Sequence, residues 1–347
     1  MRKIQNLGDF KERLQAGFEN NEESLEVFGK TYSTQLKAYL IESNHLSPKD
    51  AGCPAGVWQK LDDSVGWYVN RDADFSNTFF LDSTRDRVWI VYSLMDASES
   101  DLLINRWIES KKGLDRSWLS RNHLLHWDKI ESWSQRGLGL KFSDGLSTEE
   151  NAANFSLKAY YGANRYIEGL ADVLDKAKEK FAIYSARWQK KVNGSVVISS
   201  EWYSNGKATI NRAADVDEAL ISIAEMANRY ADSLKEATEL RDTTMGAFEL
   251  DFSQEIDLDA FSNMVAYGTG EMKLWLVETE NETDFRRFRG IDIHTWDRVL
   301  LDVGPDFAYL TVPGKGCINA APRIAAIQGE DNAGRTHIYH DGVEVFV

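Results

Sequence analysis

The sequence predicts an α+β fold, with mainly antiparallel sheets packed against amphipathic helices, and three observations predict it. Two Asn-Gly dipeptides, Asn193-Gly194 and Asn205-Gly206, each stand between runs of strand-like residues. Asn and Gly best tolerate the positive φ that a type I′ turn requires, so this dipeptide marks a tight hairpin. Long helical periodicities flank that segment, and along the whole chain strands and helices mix without the strict alternation of a parallel sheet.

Taken in order, Phe10, Leu14 and Phe18 recur at i+4 and predict a short helix from Asp9 to Phe18. A longer helix is expected from Glu22 to Ser43, with Leu25, Phe28, Tyr32, Leu36 and Tyr39 on one face. Ser47-Pro48 and the Gly52–Gly56 segment end it. Strands follow at Val57–Lys60, Val65–Asn70, Thr78–Leu81 and Val88–Leu94. Ser98-x-x-Asp101 opens a helix like a capping box, and Gly113 closes it. A helix from Asp115 through Leu125 and a strand from Gly137 to Phe142 come next.

Asn151 to Lys180 has the most regular helical pattern in the chain. The two Asn-Gly turns then make a meander of Ile183–Lys190, Val196–Tyr203 and Ala208–Asn211, and a helix starts near Asp217. A helix–three-strand–helix order thus appears twice, over 22–112 and 151–240, followed by a C-terminal α+β region. That region holds strands at Phe248–Phe252, Met272–Glu278, Val299–Val303 and Phe307–Val312, helices at Asp257–Tyr267 and Ala320–Ile327, and a charged loop over 279–290. A last hairpin turns at Asp341-Gly342. The expected domains are 1–146, 147–245 and 246–347.

Forty basic against fifty-five acidic residues give a net charge of -15, which disfavours unspecific adhesion to nucleic acid or anionic membrane. The two cysteines, Cys53 and Cys317, lie far apart without a CxxC, as expected of reduced thiols in a cytoplasmic protein. The start MRKIQNLGDFKERL lacks the apolar core of a signal peptide, and no run reaches the ~18 apolar residues of a membrane span.

Four residue groups invite a chemical reading. Glu249, Asp251, Glu255, Asp257 and Asp259 form an acidic run free of Lys and Arg, and Glu271-Met272-Lys273 follows. Carboxylates ahead of Glu-x-Lys on a strand are the constellation of many Mg²⁺-dependent nucleases, in which Lys positions the attacking water. Asp251, Asp257, Asp259, Glu271 and Lys273 would be that catalytic set, competing with helix-start acids and a solvated strand face. Arg286, Arg287 and Arg289, interleaved with Phe285 and Phe288, form a basic–aromatic cluster able to bind phosphate or stack a base. Salt bridging to the acidic run competes with it.

Asp292 and His294, two apart, would share a strand face and offer a metal pair, whereas His337 and His340 would point to opposite faces of a strand. His123 and His126 stand at i, i+3 without the acid of an HExxH motif. GxSxG, GxGxxG and P-loop patterns are missing.

The leading expectation is a non-enzymatic binding or assembly protein, a subunit of a larger complex, that presents sheet faces or edges to a protein partner. Eleven Trp and thirteen Tyr, types enriched at interfaces, motivate it. It expects a solvent-exposed cluster among Trp58, Trp67, Trp107, Trp127, Trp133 and Trp202. The alternative is a Mg²⁺-dependent nuclease or phosphodiesterase, and only that alternative calls for a cofactor or a nucleic-acid partner.

Overall fold

A computed structural model describes residues 6–28, 36–61, 64–71, 78–143, 154–160, 181–244, 246–266, 270–332 and 335–347. The described residues form seven α-helices and two antiparallel sheets, an α+β protein. The chain divides into two compact units, one of Met1–Ser117, His126–Gln135 and Arg187–Ala231, the other of Trp118–Leu125, Arg136–Ala186 and Asp232–Val347.

In the first unit, α1 (Leu7–Phe28) buries Phe10, Leu14 and Phe18, as their spacing predicts. It is one helix, and the helix expected to run on to Ser43 is corrected by β1 (Leu36–Ser43), a strand with all eight residues buried. A strand covered on both faces loses the polar alternation that identifies it, and Leu36 and Tyr39 then coincide with a helical period. After α2 (Pro48–Ala51) come β2 (Val57–Lys60), β3 (Trp67–Arg71), β4 (Phe79–Asp82), β5 (Val88–Ser93) and α3 (Ala97–Ser110). Among the described residues, β1 to β5 therefore lie between α1 and α3, which corrects the first expected helix–three-strand–helix unit.

β6 (Leu114–Arg116) pairs with β1, so the helix expected from Asp115 shrinks to α4 (Arg121–Leu124), in the second unit, with its Ser120 cap. The strand order in the first unit is β2-β3-β4-β5-β1-β11-β10. Phe79, Leu81, Trp89 and Val91 pack with Ile104, Trp107 and Ile108 of α3, while the intervening Phe80 and Tyr92 meet Phe10 of α1. Strand alternation thus divides one sheet between two helical covers.

The meander forms as predicted, from β9 (Ala182–Val192), β10 (Ser195–Tyr203) and β11 (Lys207–Ala213). Asn193 and Gly194 both have positive φ, 51° and 81°. In the second turn only Gly206 does, at 76°, and its N–H donates to Tyr203 O at 3.0 Å. A Cβ at Gly206 would lie 2.5 Å from Ser117 O, so glycine is required there. Helix α5 (Val216–Thr244) follows.

The part of β7 (Trp133–Ser143) that lies in the second unit pairs with β8 (Asn154–Tyr160) from Gly137↔Tyr160 to Ser143↔Asn154. The helix expected over 151–180 is therefore corrected for 154–160, and the remainder of that expectation lies outside the described residues. The second sheet runs β13 (Leu274–Glu282), β14 (Phe285–Asp292), β15 (Asp297–Val303), β16 (Phe307–Thr311), β12 (Phe248–Phe252), β17 (Thr336–His340), β18 (Val343–Glu344). β14 replaces most of the expected charged loop; its Phe-Arg-Arg-Phe-Arg sequence places charges on both faces and hides the period of two. Helices α6 (Leu258–Ala266) and α7 (Ala320–Asn332) cover one face, where Leu250, Leu274, Leu276, Phe288, Leu301 and Leu310 are buried. Among the described residues, no helix is long and apolar enough to cross a membrane.

Candidate functional site

With α6 and α7 on the rear of the second sheet, strand alternation sends every other residue to the front. The register aligns Glu280, Arg287, Asp302, Tyr309, Glu249, Tyr339 and Glu344 in one row across all seven strands. A second row joins Val277, Arg289, Leu300 and Thr311, and a third joins Trp275, Ile291 and Arg298. On the other side of the first row, Asp251 lies between Phe307 and His337. The front is open to solvent: Trp275 is 55% exposed, Val277 63%, Leu300 39% and Tyr309 41%.

Charge is distributed unevenly over this face. Arg287 is clamped by Glu280, with Nη1 2.8 Å from Oε1, and by Asp302, with Nε 2.8 Å from Oδ1. The hydrogen bonds to Asp302 and Glu280 push its guanidinium pKa further up. Arg289 sits between Val277 and Leu300, and Arg298 faces Ile291, so neither has an acid directly opposite. Glu249 and Asp251 occupy β12, where their cross-strand neighbours are Tyr309, Tyr339, Phe307 and His337. The Tyr309 hydroxyl donates to Glu249 Oε1 at 3.5 Å, and the negative charge of Glu249 is the main reason its phenol is harder to ionise. At the far edge, His337 Nδ1 lies 2.7 Å from Glu344 Oε1.

The acids of the predicted catalytic set are spread over several elements. Asp251 is exposed on the front of β12. Asp257 caps α6, its Oδ1 accepting from the N–H groups of Asp259 and Ala260 at 2.8 and 3.0 Å. Asp259 accepts from Arg286 Nη2 at 2.9 Å. Glu271 lies in the turn before β13, and Lys273 is buried with φ 51°, so Glu-x-Lys does not stand on a strand. Among the described residues, no three of these acids bring carboxylate oxygens within 4.8 Å of one another.

The structure also separates the arginine cluster. Arg286 points to the rear, to Asp259 and Glu278, whereas Arg287 and Arg289 lie on the front. Asp292 is buried in a two-pronged ion pair with Arg323 of α7, at 3.0 and 2.7 Å. His294 lies in the β14–β15 turn, not on a strand, and its backbone N–H donates to Asp292 Oδ1 at 2.9 Å. His337 and His340 diverge: the first is on the front, the second is buried, with Nε2 2.6 Å from Thr244 Oγ1.

The expected exposed tryptophan cluster is corrected. Trp58, Trp107, Trp127, Trp133 and Trp202 are buried and Trp67 is half-buried. Their rings fill cores instead, as in the Trp127–Trp133 stack at 4.5 Å and the edge-on Trp58–Trp107 pair at 6.1 Å. The exposed tryptophans are Trp275 and Trp296. A signal for the first was present: Leu274-Trp275-Leu276-Val277 is apolar on both faces of a strand, although only one face is needed for the core.

These features define the chain as an α+β protein of two antiparallel sheets, one of which leaves a mixed aromatic and charged face open. The chain belongs to the MJECL33-like protein family, whose model matches residues 1–329. It is similar to "Uncharacterized protein MJECL33" of Methanocaldococcus jannaschii, with 24% identity over 339 residues that span 83% of this chain and 82% of that protein. No solved structure matches it.

Proposed function

We propose that the protein is a non-enzymatic binding or assembly subunit that engages a protein partner through the open front of its C-terminal sheet. The observation that carries this reading is the exposure of Trp275 and Val277 beside Arg289, on a face that also exposes Leu300 and Tyr309. Covering the exposed half of one Trp is worth about 3 kcal/mol at ~25 cal/mol per Å². Trp, Tyr and Arg are also the types that dominate binding hot spots. The strand order ends in a nine-residue edge, β13, which lengthens the surface offered to the partner.

Photo-crosslinking tests it. A photoreactive residue at position 277 or 300 is expected to form a discrete protein adduct in native extract. The same residue at the exposed control positions Leu46 and Val65 of the first unit forms none. Equal labelling at all four positions would sink the proposal.

A further inference from the structure

We propose that the partner covering this face is a second copy of the chain, an inference that rests on the binding role just given. The face is electrically bipolar. Its β14–β15 corner carries Arg289 and Arg298, and the β12 side carries Glu249 and Asp251, with Glu344 beyond them on β18. Around and between the two patches lie Leu300, Tyr309 and Arg287, whose charge is taken up by its two clamping acids, Glu280 and Asp302. A two-fold axis in the plane of the face, midway between the patches, lays each patch of one copy over the opposite patch of the other. An isologous contact has this property: if one residue meets a second, the second meets the first in return.

The alternative occupants fit less well. A nucleic-acid strand would meet the acids as well as the arginines, on a chain of net charge -15. A partner of uniform charge would satisfy one patch and repel the other. The size is adequate for self-association. Strands of two to nine residues, at ~3.3 Å per residue and ~4.8 Å apart, make a face of roughly 650 Å² per copy. Two such faces bury about 1,300 Å², within the range of specific interfaces.

Sedimentation equilibrium of the full chain tests the proposal. The wild type is expected at twice its 39.4 kDa mass. Arg289→Glu/Arg298→Glu reverses the charge of the basic corner, and Glu249→Arg/Asp251→Arg reverses that of the β12 patch. Each double variant alone is expected to weaken the dimer tenfold or more, and an equimolar mixture of the two recovers a heterodimer, because both contacts are then complementary. Far-UV circular dichroism checks that each variant is folded. A wild-type monomer at about 100 μM, or a dimer indifferent to both double variants, overturns the second copy. If in either case position 277 still captures a different protein, the binding role stands without self-association. If it captures nothing, both fall.

Discussion

Removing Arg323 should cost far more than its place on a short helix suggests. The guanidinium is fully buried, at 0% side-chain exposure against 1% for Asp292. Nη2 and Nη1 meet the two Asp292 oxygens at 2.7 and 3.0 Å, and Nη1 also donates to Met272 O at 2.8 Å. The pair joins α7 to the end of β14 and to the chain entering β13, so it braces the rear of the open sheet. Arg323→Met leaves the carboxylate buried without its cation, and breaking such a pair costs about 3–5 kcal/mol. For a chain of this size that lowers Tm by about 4–7 °C. Asp292→Leu combined with Arg323→Met removes both charges together and should recover part of the loss, since an apolar replacement of a buried pair is often close to neutral while Met272 O and the His294 N–H each lose a partner. Thermal and urea unfolding, followed by tryptophan fluorescence and circular dichroism, measure both variants. A loss under about 1 kcal/mol for Arg323→Met, or a double variant no more stable than the single one, would refute the argument.

Burial pushes the Cys53 thiol up to about 12 from its ordinary 9.0. Its stabilising contribution is therefore complete below pH ~9 and is lost as the pH rises towards ~12, by about 2 kcal/mol at pH ~10.5. Urea midpoints at pH ~8 and ~10.5 should show a smaller alkaline decrease in Cys53→Ala than in the wild type. Gly206→Ala forces a side chain into a left-handed residue and towards Ser117 O, and should cost about 1–3 kcal/mol in the same assay. With the acids of 249–273 dispersed over a strand, a helix cap and a turn, incubation with Mg²⁺ or Mn²⁺ should yield no cleavage of DNA or RNA; activity abolished by Glu271→Ala would revive the hydrolytic alternative.

The parts of the fold legible in the sequence are those fixed by local chemistry. Asn193-Gly194 and Asp341-Gly342 turn where expected because few other pairs accept positive φ at two successive residues. The misread elements are those whose surroundings come from distant chain. Leu36–Ser43 loses its alternation because strands remote in sequence, and the layers over both faces, bury it. Phe285–Asp292 hides behind arginines whose counter-charges, Asp259, Glu280 and Asp302, lie on three other elements. The open face was less legible still. Glu249, Trp275, Arg289, Leu300, Tyr309 and Tyr339 become neighbours only through a register spanning six strands. The tryptophan count pointed to interfaces, but most of those rings close cores, and the exposed Trp275 is told apart by strand parity alone.

The same parity separates folding from binding within one dipeptide. Leu276 is 1% exposed on the rear of β13 and Val277 is 63% exposed on its front. Leu276→Ala opens a cavity against the layer built by α6 and should cost about 2–5 kcal/mol. Val277→Glu replaces a solvated methyl surface and should change stability by no more than about 0.5 kcal/mol. On the proposed dimer the order is reversed. Val277→Glu adds an acid beside Arg289, within the basic patch, and weakens association, while Leu276→Ala acts on association only through folding. Thermal unfolding and sedimentation on the two variants separate the two roles. If both variants lose stability equally, or Val277→Glu leaves association unchanged, the front of β13 is not the contact between two copies and the proposed dimer is lost.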